Sequence, residues 1–563
     1  MSNSPLPSDD PTSIEWEVVV VGTGMGGSTA GYALAKLGRR VLFIERGLYL
    51  HGKKQPVSEE EDRLSGDELN EVSDESLRRG WWPVAVRGNT SFGPTDDYWI
   101  GCGSGGTTTQ YGAGLERFFP ADFSPKANFP DVHDSTLPEK WPISYEELRP
   151  FYEKAEALFR VRGTDDPLRS GETTSLMTPP ALSEHAKYLY DSFRQLGLHP
   201  YQHHVGFEFV PGCTGCIGSV CPKECKNEAG RLCLRPALEA HGASILTECE
   251  VFRLETKRGE VRAIKCRWKG KEIVIRAKVV VLAAGALMTP VLLLNSKSDE
   301  HPHGLANRSG MVGRNLMMHA GDFFVMKSRK PLRNSGNTKR LALNDLYQSG
   351  GEKLGTFQMA AGDVTSIHIR MFIRADAERD PRWWKLLAMS RPAWWRVISS
   401  LVIRPVAFAA YHALNFKRAT LWASIIEDLP YYDNRIIVDR EAKTGVRFEY
   451  RYPEELKRRV ASFRTRASKL LGPHKIYSMT GKNNLNFYHA CGTCRFGDDP
   501  ETSVLDANNR AHDIENLYVV DASFFPSSAG INPSLTIAAN ALRVAEEIDK
   551  QLGWERGEAA GTA

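Results

Sequence analysis

The glycine pattern near the N-terminus constrains the fold of this 563-residue chain more than any other feature. Residues 22–27 (GTGMGG) follow directly after four valines at residues 18–21. A run that is β-branched and apolar on both faces predicts a buried parallel strand. A helical pattern over residues 28–37 and an apolar strand over residues 40–44 complete a βαβ unit. The chain is therefore expected to begin with a parallel α/β domain of the dinucleotide-binding type.

Each glycine of this loop has its own physical task. Gly22 allows the tight turn, Gly24 lets backbone N–H groups approach a pyrophosphate, and Gly27 permits close packing of the helix. The start of the helix adds the positive end of its dipole. Glu45 follows the second strand and is expected to accept hydrogen bonds from an adenosine ribose. The pattern predicts dinucleotide binding, and a fortuitous glycine-rich turn is the alternative.

Two distant segments are predicted to be strands of the same sheet. Residues 278–287 (KVVVLAAGAL) form an apolar run that reaches Gly285, and residues 517–523 (LYVVDAS) form one that reaches Asp521. Ligands bind outside the carboxyl ends of parallel strands, so both ends are expected near the nucleotide. An apolar stripe over residues 534–551 predicts a final helix that packs on the core.

The length and the sequence between these pieces predict a second domain. A chain of 563 residues exceeds one compact core. Alternation in residues 446–450 (VRFEY) indicates an antiparallel sheet with one wet face, so an α+β substrate domain is expected beside the Rossmann-like domain. The predicted nucleotide-binding segments are residues 1–119, 205–322 and 478–552, the substrate segments are 120–204 and 323–477, and the tail is 553–563.

Charge and hydropathy exclude several classes. Lys and Arg number 72 against 68 Asp and Glu, and a formal net charge of +4 gives no indication of nucleic-acid binding. Residues 1–16 lack the basic and apolar regions of an export signal, which predicts a cytoplasmic protein. The longest apolar stretch, residues 397–414, contains Arg404, Pro405 and His412, so a membrane-spanning helix is not expected.

Paired tryptophans beside cations occur at residues 383–385 (WWK) and 394–396 (WWR). Such pairs suit a membrane interface, and a lid or a patch between subunits is the alternative. Together with Trp81 and Trp82, they could also stack on sugars or line an apolar pocket. Peripheral membrane contact by Trp383, Trp384, Trp394 and Trp395 is therefore one of several open interpretations.

His489 and Asn532 are the candidate catalytic residues. They lie in residues 488–495 (YHACGTCR) and 529–536 (AGINPSLT). Hydride removal from an alcohol needs one group to accept the hydroxyl proton and another to hold the oxygen. A neutral imidazole and a carboxamide can fill these roles. Four other histidines are expected to be structural: His203, His204, His319 and His412.

Four of the ten cysteines crowd into one short segment. Short spacing of thiols, with a proline after one, is typical of iron–sulfur ligation, and four thiolates also suit zinc. Packed structural thiols or a local disulfide are the third interpretation. The four are Cys213, Cys216, Cys221 and Cys225. The others are expected to be small packed side chains: Cys102, Cys233, Cys249, Cys266, Cys491 and Cys494.

Together these motifs resemble the glucose-methanol-choline (GMC) oxidoreductase family, flavoproteins that oxidise alcohols and sugars. The resemblance covers most of the chain: residues 22–27, residues 105–108 (GGTT), Ala284-Gly285 and the block from residue 489 to residue 536. It implies FAD as cofactor and oxidation of a primary or secondary alcohol or sugar hydroxyl to a carbonyl. It further implies that His489 is the active-site base and that Asn532 holds the substrate oxygen.

The resemblance also implies cofactor contacts. Val251 matches a position where backbone groups meet adenine. The remaining implied contacts are Gly105, Gly106, Thr107, Asp521, Ala522 and Thr536. Some relatives attach the flavin through a histidine shortly after the Gly-Gly pair, but residues 105–111 (GGTTTQY) contain none, so non-covalent FAD is predicted. Many members carry a metal-free Cys-Pro segment, whereas some sugar dehydrogenases bind a three-iron cluster there and pass electrons to a partner subunit.

Three alternative functions stay open on the sequence. The glycine loop alone permits a NAD-dependent dehydrogenase. A sterol or long-chain alcohol oxidase at a membrane surface would use the tryptophans as an apolar contact. A catalytically silent flavin-binding interaction protein is the third, and the presence of both His489 and Asn532 argues against it. The expected partners are a small-molecule alcohol or sugar and an electron acceptor, either oxygen or a partner protein.

Overall fold

The computed structural model describes residues 10–51, 74–91, 93–169, 171–213, 215–327, 340–361, 364, 369, 405–412, 419–480 and 486–561. The helices are α1 (Met25–Lys36), α2 (Asp74–Arg78), α3 (Tyr145–Leu158), α4 (Glu184–Gln195), α5 (Arg235–Ala240), α6 (Met288–Asn295), α7 (Glu454–Leu470) and α8 (Ser534–Gly561). The strands are β1 (Glu15–Val21), β2 (Val41–Ile44), β3 (Val86–Thr90), β4 (Gly93–Tyr98), β5 (Tyr201–Gln202), β6 (Ser244–Leu246), β7 (Cys249–Lys257), β8 (Glu260–Trp268), β9 (Lys271–Leu282), β10 (Met317–Gly321), β11 (Phe323–Lys327), β12 (Leu341–Leu343), β13 (Gln348–Ser349), β14 (Glu352–Lys353), β15 (Gly355–Ala361), β16 (Ala419–Ile426), β17 (Arg435–Val438), β18 (Val446–Tyr450), β19 (Lys475–Ser478), β20 (Asn486–Cys491) and β21 (Leu517–Val519).

A seven-stranded sheet contains the βαβ unit that the sequence predicts. In it, β1 pairs in parallel with β2 and β9, and β6 and β21 extend the parallel part at its two sides. Side chains of β1 alternate between two apolar cores, with Val18 and Val20 on one face and Val19 and Val21 on the other. This two-sided burial explains why the run is apolar throughout.

The strand predicted to start at residue 278 begins seven residues earlier, at Lys271. Its first half pairs with β8 in an antiparallel β7–β8–β9 meander, and its second half pairs with β1 and β21. The first half has one wetter face, so its pattern is mixed and gives a weaker signal than the valine run. The predicted parallel segment from residue 278 is confirmed by its pairing with β21.

Helix α1 lies unusually close to the backbone of the sheet. A Cβ atom at Gly26 would stand 2.0 Å from the carbonyl oxygen of Val520, and one at Gly27 would stand 2.1 Å from that of Gly22. Only glycine fits such an approach. The predicted final helix is confirmed as α8, which packs against α1 and α3 and continues to Gly561.

An antiparallel sheet of eight strands forms the second layer, in the order β19-β11-β16-β15-β12-β5, with β10 pairing both β16 and β20. Residues 446–450 form β18 with the expected alternating burial. This strand, however, lies in a separate four-stranded sheet, where it pairs antiparallel with β17 and parallel with β3. The predicted division into interleaved segments stays a prediction.

The predicted tryptophan patch lies outside the described residues. This holds for Trp383, Trp384, Trp394 and Trp395, and for most of residues 397–414, of which residues 405–412 are helical. Among the helices of the described ranges, none has the length and apolar character needed to traverse a bilayer.

The contact between α1 and the sheet gives the first prediction. Because the added methyl group would overlap the Val520 carbonyl, Gly26→Ala is expected to lower the free energy of unfolding by about 1–3 kcal/mol. Gly24→Ala is the matched control, since a Cβ there meets nothing within 4 Å. Urea unfolding of both ligand-stripped variants measures the difference, and equal stabilities would contradict the packing argument.

Candidate active site

A cavity of about 620 Å³ runs along the carboxyl edge of the parallel strands and is called the central cavity below. Sites for small molecules and cofactors occupy about 300–1,000 Å³, so a dinucleotide is within its capacity. The predicted site residues that line it are Gly22, Gly24, Glu45, Gly106, Thr107, Val251, Gly285, His489, Asp521, Ala522 and Asn532. The structure thus brings together most of the residues that the sequence singled out.

Three predicted site residues lie behind the cavity wall instead of on it. Gly27 packs against Gly22, and the backbone N–H of Gly105 donates to the carbonyl of Thr23 at 3.1 Å. Thr536 is fully buried, with its hydroxyl 2.7 Å from that of Tyr152. Their observed contacts hold the lining segments in place.

The loop between β1 and α1 presents bare backbone to the cavity. Gly24 is the N-cap residue of α1, no side chain caps the helix, and no acid lies in its first turn. A Cβ at Gly24 would enter open space, which marks this point as the side from which a ligand can approach. Exposed N–H groups and the positive helix end make a site for anionic groups, and a pyrophosphate fits it.

Glu45 has a second task that the sequence did not reveal. Its Oε2 accepts hydrogen bonds from the backbone N–H and hydroxyl of Thr23 at 3.2 and 2.7 Å. Its Oε1 accepts from the backbone N–H groups of Gly47 and Gly103 at 2.9 and 3.2 Å. The carboxylate therefore ties the glycine loop to two neighbouring segments, and its contact with a ribose stays a prediction.

Asp521 likewise joins two strand ends. Its Oδ2 accepts from the Gly285 N–H at 2.9 Å and the Thr289 hydroxyl at 2.5 Å, while Oδ1 accepts from Ser523. Burial raises the pKa of Asp521, and these donors oppose the rise because they favour the ionised form. The Asp521 carboxylate therefore links the segments that follow β9 and β21.

A β-bulge places His489. Between β10 and β20, Met317 faces Cys491 and His319 faces Tyr488, so β20 has one residue more than its partner. His489 lies in this bulge and has φ +65°, a left-handed conformation that is uncommon outside glycine. Bulges redirect side chains next to active sites, and here the imidazole lines the cavity.

His319 is a contact of the candidate base that sequence reasoning missed. Its Nδ1 lies 2.9 Å from Nδ1 of His489, and its Nε2 lies 3.0 and 2.8 Å from the carbonyl oxygens of Ser528 and Ala529. Burial lowers the pKa of His319 to about 4. The two imidazoles are 170 residues apart in sequence, so no local spacing signals the pair.

Asn532 is buried and lines the same cavity as His489. Its Oδ1 accepts a hydrogen bond from Nε2 of Gln358 at 3.1 Å, which turns the Nδ2 donors to the other side of the carboxamide. A Cβ at Gly114 would stand 2.9 Å from the Asn532 side chain, so glycine makes room for it. Neither Gln358 nor Gly114 stood out in the sequence.

A buried ionic network supports the loop that carries Asn532. The Gly530 N–H donates to the Tyr347 hydroxyl at 3.2 Å, and this hydroxyl donates to Asp122 at 2.6 Å. Lys353 pairs with Asp122 at 2.5 Å and with Glu427 at 2.6 Å. Breaking such a pair leaves an uncompensated buried charge, so the network holds the loop firmly.

The four clustered thiols form a connected group that does not line the central cavity. Cys225 Sγ lies 3.3 Å from Cys213 Sγ and 3.4 Å from Cys221 Sγ. Hydrogen bonds from the Cys216 and Cys225 side chains lower the pKa of the Cys221 thiol. All ten cysteines are free thiols. Within the described ranges, no three or more His, Cys, Asp or Glu side chains are arranged to hold a metal ion.

Trp81 and Trp82 have different surroundings. Trp81 lines the central cavity, and its indole N–H donates to the Gly218 carbonyl at 3.2 Å. Trp82 lies under the Arg46 guanidinium at 4.1 Å. Of the indoles that the structure describes among those singled out, Trp81 is therefore placed to meet a ligand.

Comparison with protein families gives three matches. Models described as GMC oxidoreductase match residues 140–321 with the N-terminal part of the family and residues 437–541 with its C-terminal part. A model described as a NAD(P)-binding Rossmann-like domain matches residues 20–55.

Individual relatives match over almost the whole chain. The 6'''-hydroxyparomomycin C oxidase of Streptomyces lividus is 28% identical, covering 96% of this chain and 92% of the relative. The 2-methyl-1,2-propanediol dehydrogenase of Mycolicibacterium austroafricanum is 25% identical, covering 95% of each. A solved structure of Aspergillus oryzae formate oxidase, from work on its FAD modification, superposes with a TM-score of 0.62 at 14% identity, covering 98% and 99% of the two chains.

Gly24 gives the prediction of this section. A methyl group there would occupy the space that a pyrophosphate needs without touching protein, so Gly24→Ala is expected to fold normally and to bind less dinucleotide. The measurement is nucleotide released on heat denaturation, expressed per protein and compared with the parent. Full nucleotide content in a normally folded variant would contradict the assignment of this loop.

Proposed function

The chain belongs to the GMC oxidoreductase family, and we propose that it oxidises a primary or secondary alcohol or sugar hydroxyl to a carbonyl, with His489 as base. Membership of this family supports FAD as the cofactor. The observation that supports the proposal most directly is the shared cavity. The glycine loop at the start of α1, His489 and Asn532 all line the central cavity.

The division of chemistry follows from these positions. FAD, when bound, supplies the hydride acceptor. His489 accepts the hydroxyl proton of the substrate, and Asn532 donates a hydrogen bond from Nδ2 to the oxygen as negative charge develops there. The Gln358 contact supports this role for Asn532, because it occupies Oδ1 and leaves the donors of the carboxamide for the substrate.

The substrate class is proposed from the relatives. Those named above are a 6'''-hydroxyparomomycin C oxidase and a 2-methyl-1,2-propanediol dehydrogenase, which supports a polyol or sugar hydroxyl as substrate. A relative from Arabidopsis thaliana that is 26% identical over 96% of this chain is named a long-chain-alcohol oxidase, so a long-chain alcohol is the alternative. A panel of 2-methyl-1,2-propanediol, glucose and 1-dodecanol under anaerobic conditions compares these classes by bleaching of the flavin.

Further parts of the proposal rest on sequence alone. We expect a cytoplasmic protein whose flavin is reoxidised by oxygen or by an electron-acceptor partner. Peripheral membrane contact through the tryptophan pairs belongs to the same group of hypotheses. Rapid return of the oxidised flavin spectrum on admission of air would favour oxygen as acceptor.

The role of His489 is tested by substitution. His489→Ala is expected to reduce the rate of flavin reduction about 10²- to 10⁴-fold, since proton transfer by a placed base is worth that much. Flavin content should stay at the parent level. His512→Ala is the matched control, because His512 bonds to Ser503 far from the cavity wall and should leave the rate unchanged. A His489→Ala rate within about fivefold of the parent would refute the assignment.

Attachment of the flavin is tested separately. Residues 105–111 offer hydroxyl, amide and phenol groups but no imidazole, so the flavin is expected to be released into the supernatant on acid precipitation. The absorbance of supernatant and pellet gives the answer. Flavin that stays with the washed pellet would overturn the proposal of non-covalent FAD.

An iron–sulfur cluster at Cys213, Cys216, Cys221 and Cys225 is a further hypothesis. It is supported by their spacing and by the contacts among their sulfur atoms, whereas the arrangement of the described side chains does not match a metal site. Iron and acid-labile sulfide assays on freshly purified protein test it. Protein free of both, with reactive thiols in this segment, would contradict it.

A further inference from the structure

We propose that His319 is a positioning residue that fixes the tautomer of His489, so that Nε2 of His489 is the nitrogen that takes the substrate proton. The inference deepens the proposed function and rests on it. It concerns which ring nitrogens of His319 and His489 carry hydrogen. It follows from the hydrogen-bond partners of His319 and from the contact between the two rings.

The first step concerns Nε2 of His319. This atom lies 3.0 Å from the Ser528 carbonyl oxygen and 2.8 Å from the Ala529 carbonyl oxygen. Carbonyl oxygens only accept hydrogen bonds, so Nε2 must carry a hydrogen. The ring is completely buried, which favours its neutral form, and the lowered pKa of about 4 agrees. A neutral ring protonated at Nε2 has its lone pair on Nδ1.

The second step concerns the contact between the rings. Nδ1 of His319 and Nδ1 of His489 are 2.9 Å apart, a hydrogen-bond distance. Since the His319 nitrogen has the lone pair, the hydrogen of this bond belongs to Nδ1 of His489. A neutral His489 with a hydrogen on Nδ1 has its lone pair on Nε2. The ring lines the central cavity, where a substrate hydroxyl would meet it.

The contact also stabilises the product of proton transfer. After His489 has taken the substrate proton, Nδ1–H still donates to His319, and a hydrogen bond to the charged form favours it. The proton is not expected to pass on to His319, because that transfer would place the positive charge on a fully buried ring, and the Nε2–H of this ring faces two carbonyl oxygens that cannot take up a proton. His319 therefore orients the base and does not serve as a proton relay.

The fold fixes the His319 ring from both sides. His319 lies on β10 next to the bulge that carries His489, and the two carbonyls belong to the segment that leads to Asn532. Ala529 has φ +55°, a left-handed conformation rarely adopted by alanine. One buried imidazole thus connects the elements that carry both candidate catalytic residues.

The neighbouring titratable groups do not compete for this proton. Asp428 accepts hydrogen bonds from the Met318 N–H and the Tyr450 hydroxyl, both at 2.7 Å, and burial raises its pKa to about 8. Burial also raises the pKa of Tyr98 to about 12 and that of Cys491 well above its ordinary value. The fully buried Glu427 is paired with Lys353. His319 is in direct contact with the base.

Two substitutions separate this role from a purely structural one. In His319→Asn, the amide oxygen replaces Nδ1 as acceptor for His489 but does not reach the two carbonyls. In His319→Gln, the longer amide donates to the carbonyls but offers no acceptor at the position of Nδ1. We expect Asn to keep flavin reduction by the panel alcohols within about tenfold of the parent, and Gln to lower it about 10²- to 10⁴-fold.

The opposite order, with Gln active and Asn inactive, would show that His319 only holds the backbone and would overturn the inference. Thermal stability and flavin content of both variants identify any that fail to fold. The pH profile adds a second readout: since His319 stabilises protonated His489, its replacement by Gln should move the acidic limb of kcat/KM to lower pH, whereas Asn should not.

A third measurement needs no substrate. Nitrogen-15 NMR of the holoenzyme labelled only at histidine, assigned by comparison with His489→Gln, reports which ring nitrogen of His489 carries hydrogen. We expect hydrogen on Nδ1, and hydrogen on Nε2 would overturn the inference. An active His489→Ala variant would instead refute the proposed function, so the two failures are distinguishable.

Discussion

The close approach of α1 to the parallel sheet is the constraint on which the rest of the site depends. Gly26 and Gly27 remove the two Cβ atoms that would hold the helix away from the strand backbones. The helix follows β1 directly and therefore begins at the carboxyl edge of the sheet, with its first N–H groups at the cavity. Glu45 and Asp521 then use their buried carboxylates to fix the surrounding strand ends. The nucleotide cradle is therefore built from backbone, and side chains serve to hold it.

The part of the cavity wall that carries the catalytic candidates is built on a different principle. His489 lies on a bulge and Asn532 follows the left-handed residue Ala529, and left-handed residues persist only where surrounding contacts compensate for their cost. Here the compensation comes from buried polar contacts: Lys353 and its carboxylates behind the loop, and His319 between the loop and the bulge. Precise placement of a base and a donor thus depends on side chains that do not meet the substrate.

The sequence predicted features that depend on neighbours along the chain. The valine run, the glycine loop and the final helix each have a local period, and His489 and Asn532 occur in short recognisable segments. Contacts set by strand pairing were not predictable in this way. The bulge at His489 follows from the register between β10 and β20, and the parallel pairing of β18 with β3 joins residues about 360 positions apart. The contact between His319 and His489 was not predictable for the same reason, because the two rings are brought together by strand pairing.

A neutral histidine and a carboxylate would act differently on this base. A buried carboxylate at the position of His319 would favour the charged form of His489 more strongly, because an opposite charge at hydrogen-bond distance raises an imidazole pKa. His489 must be neutral to accept a proton from an alcohol. The His319 ring accepts the Nδ1–H bond without adding a negative charge, so it selects the tautomer of the base without the strong preference for the charged form that a carboxylate would add. Burial of His319 is thus part of the chemistry, because an exposed ring would titrate near neutral pH and lose its acceptor lone pair in the charged form.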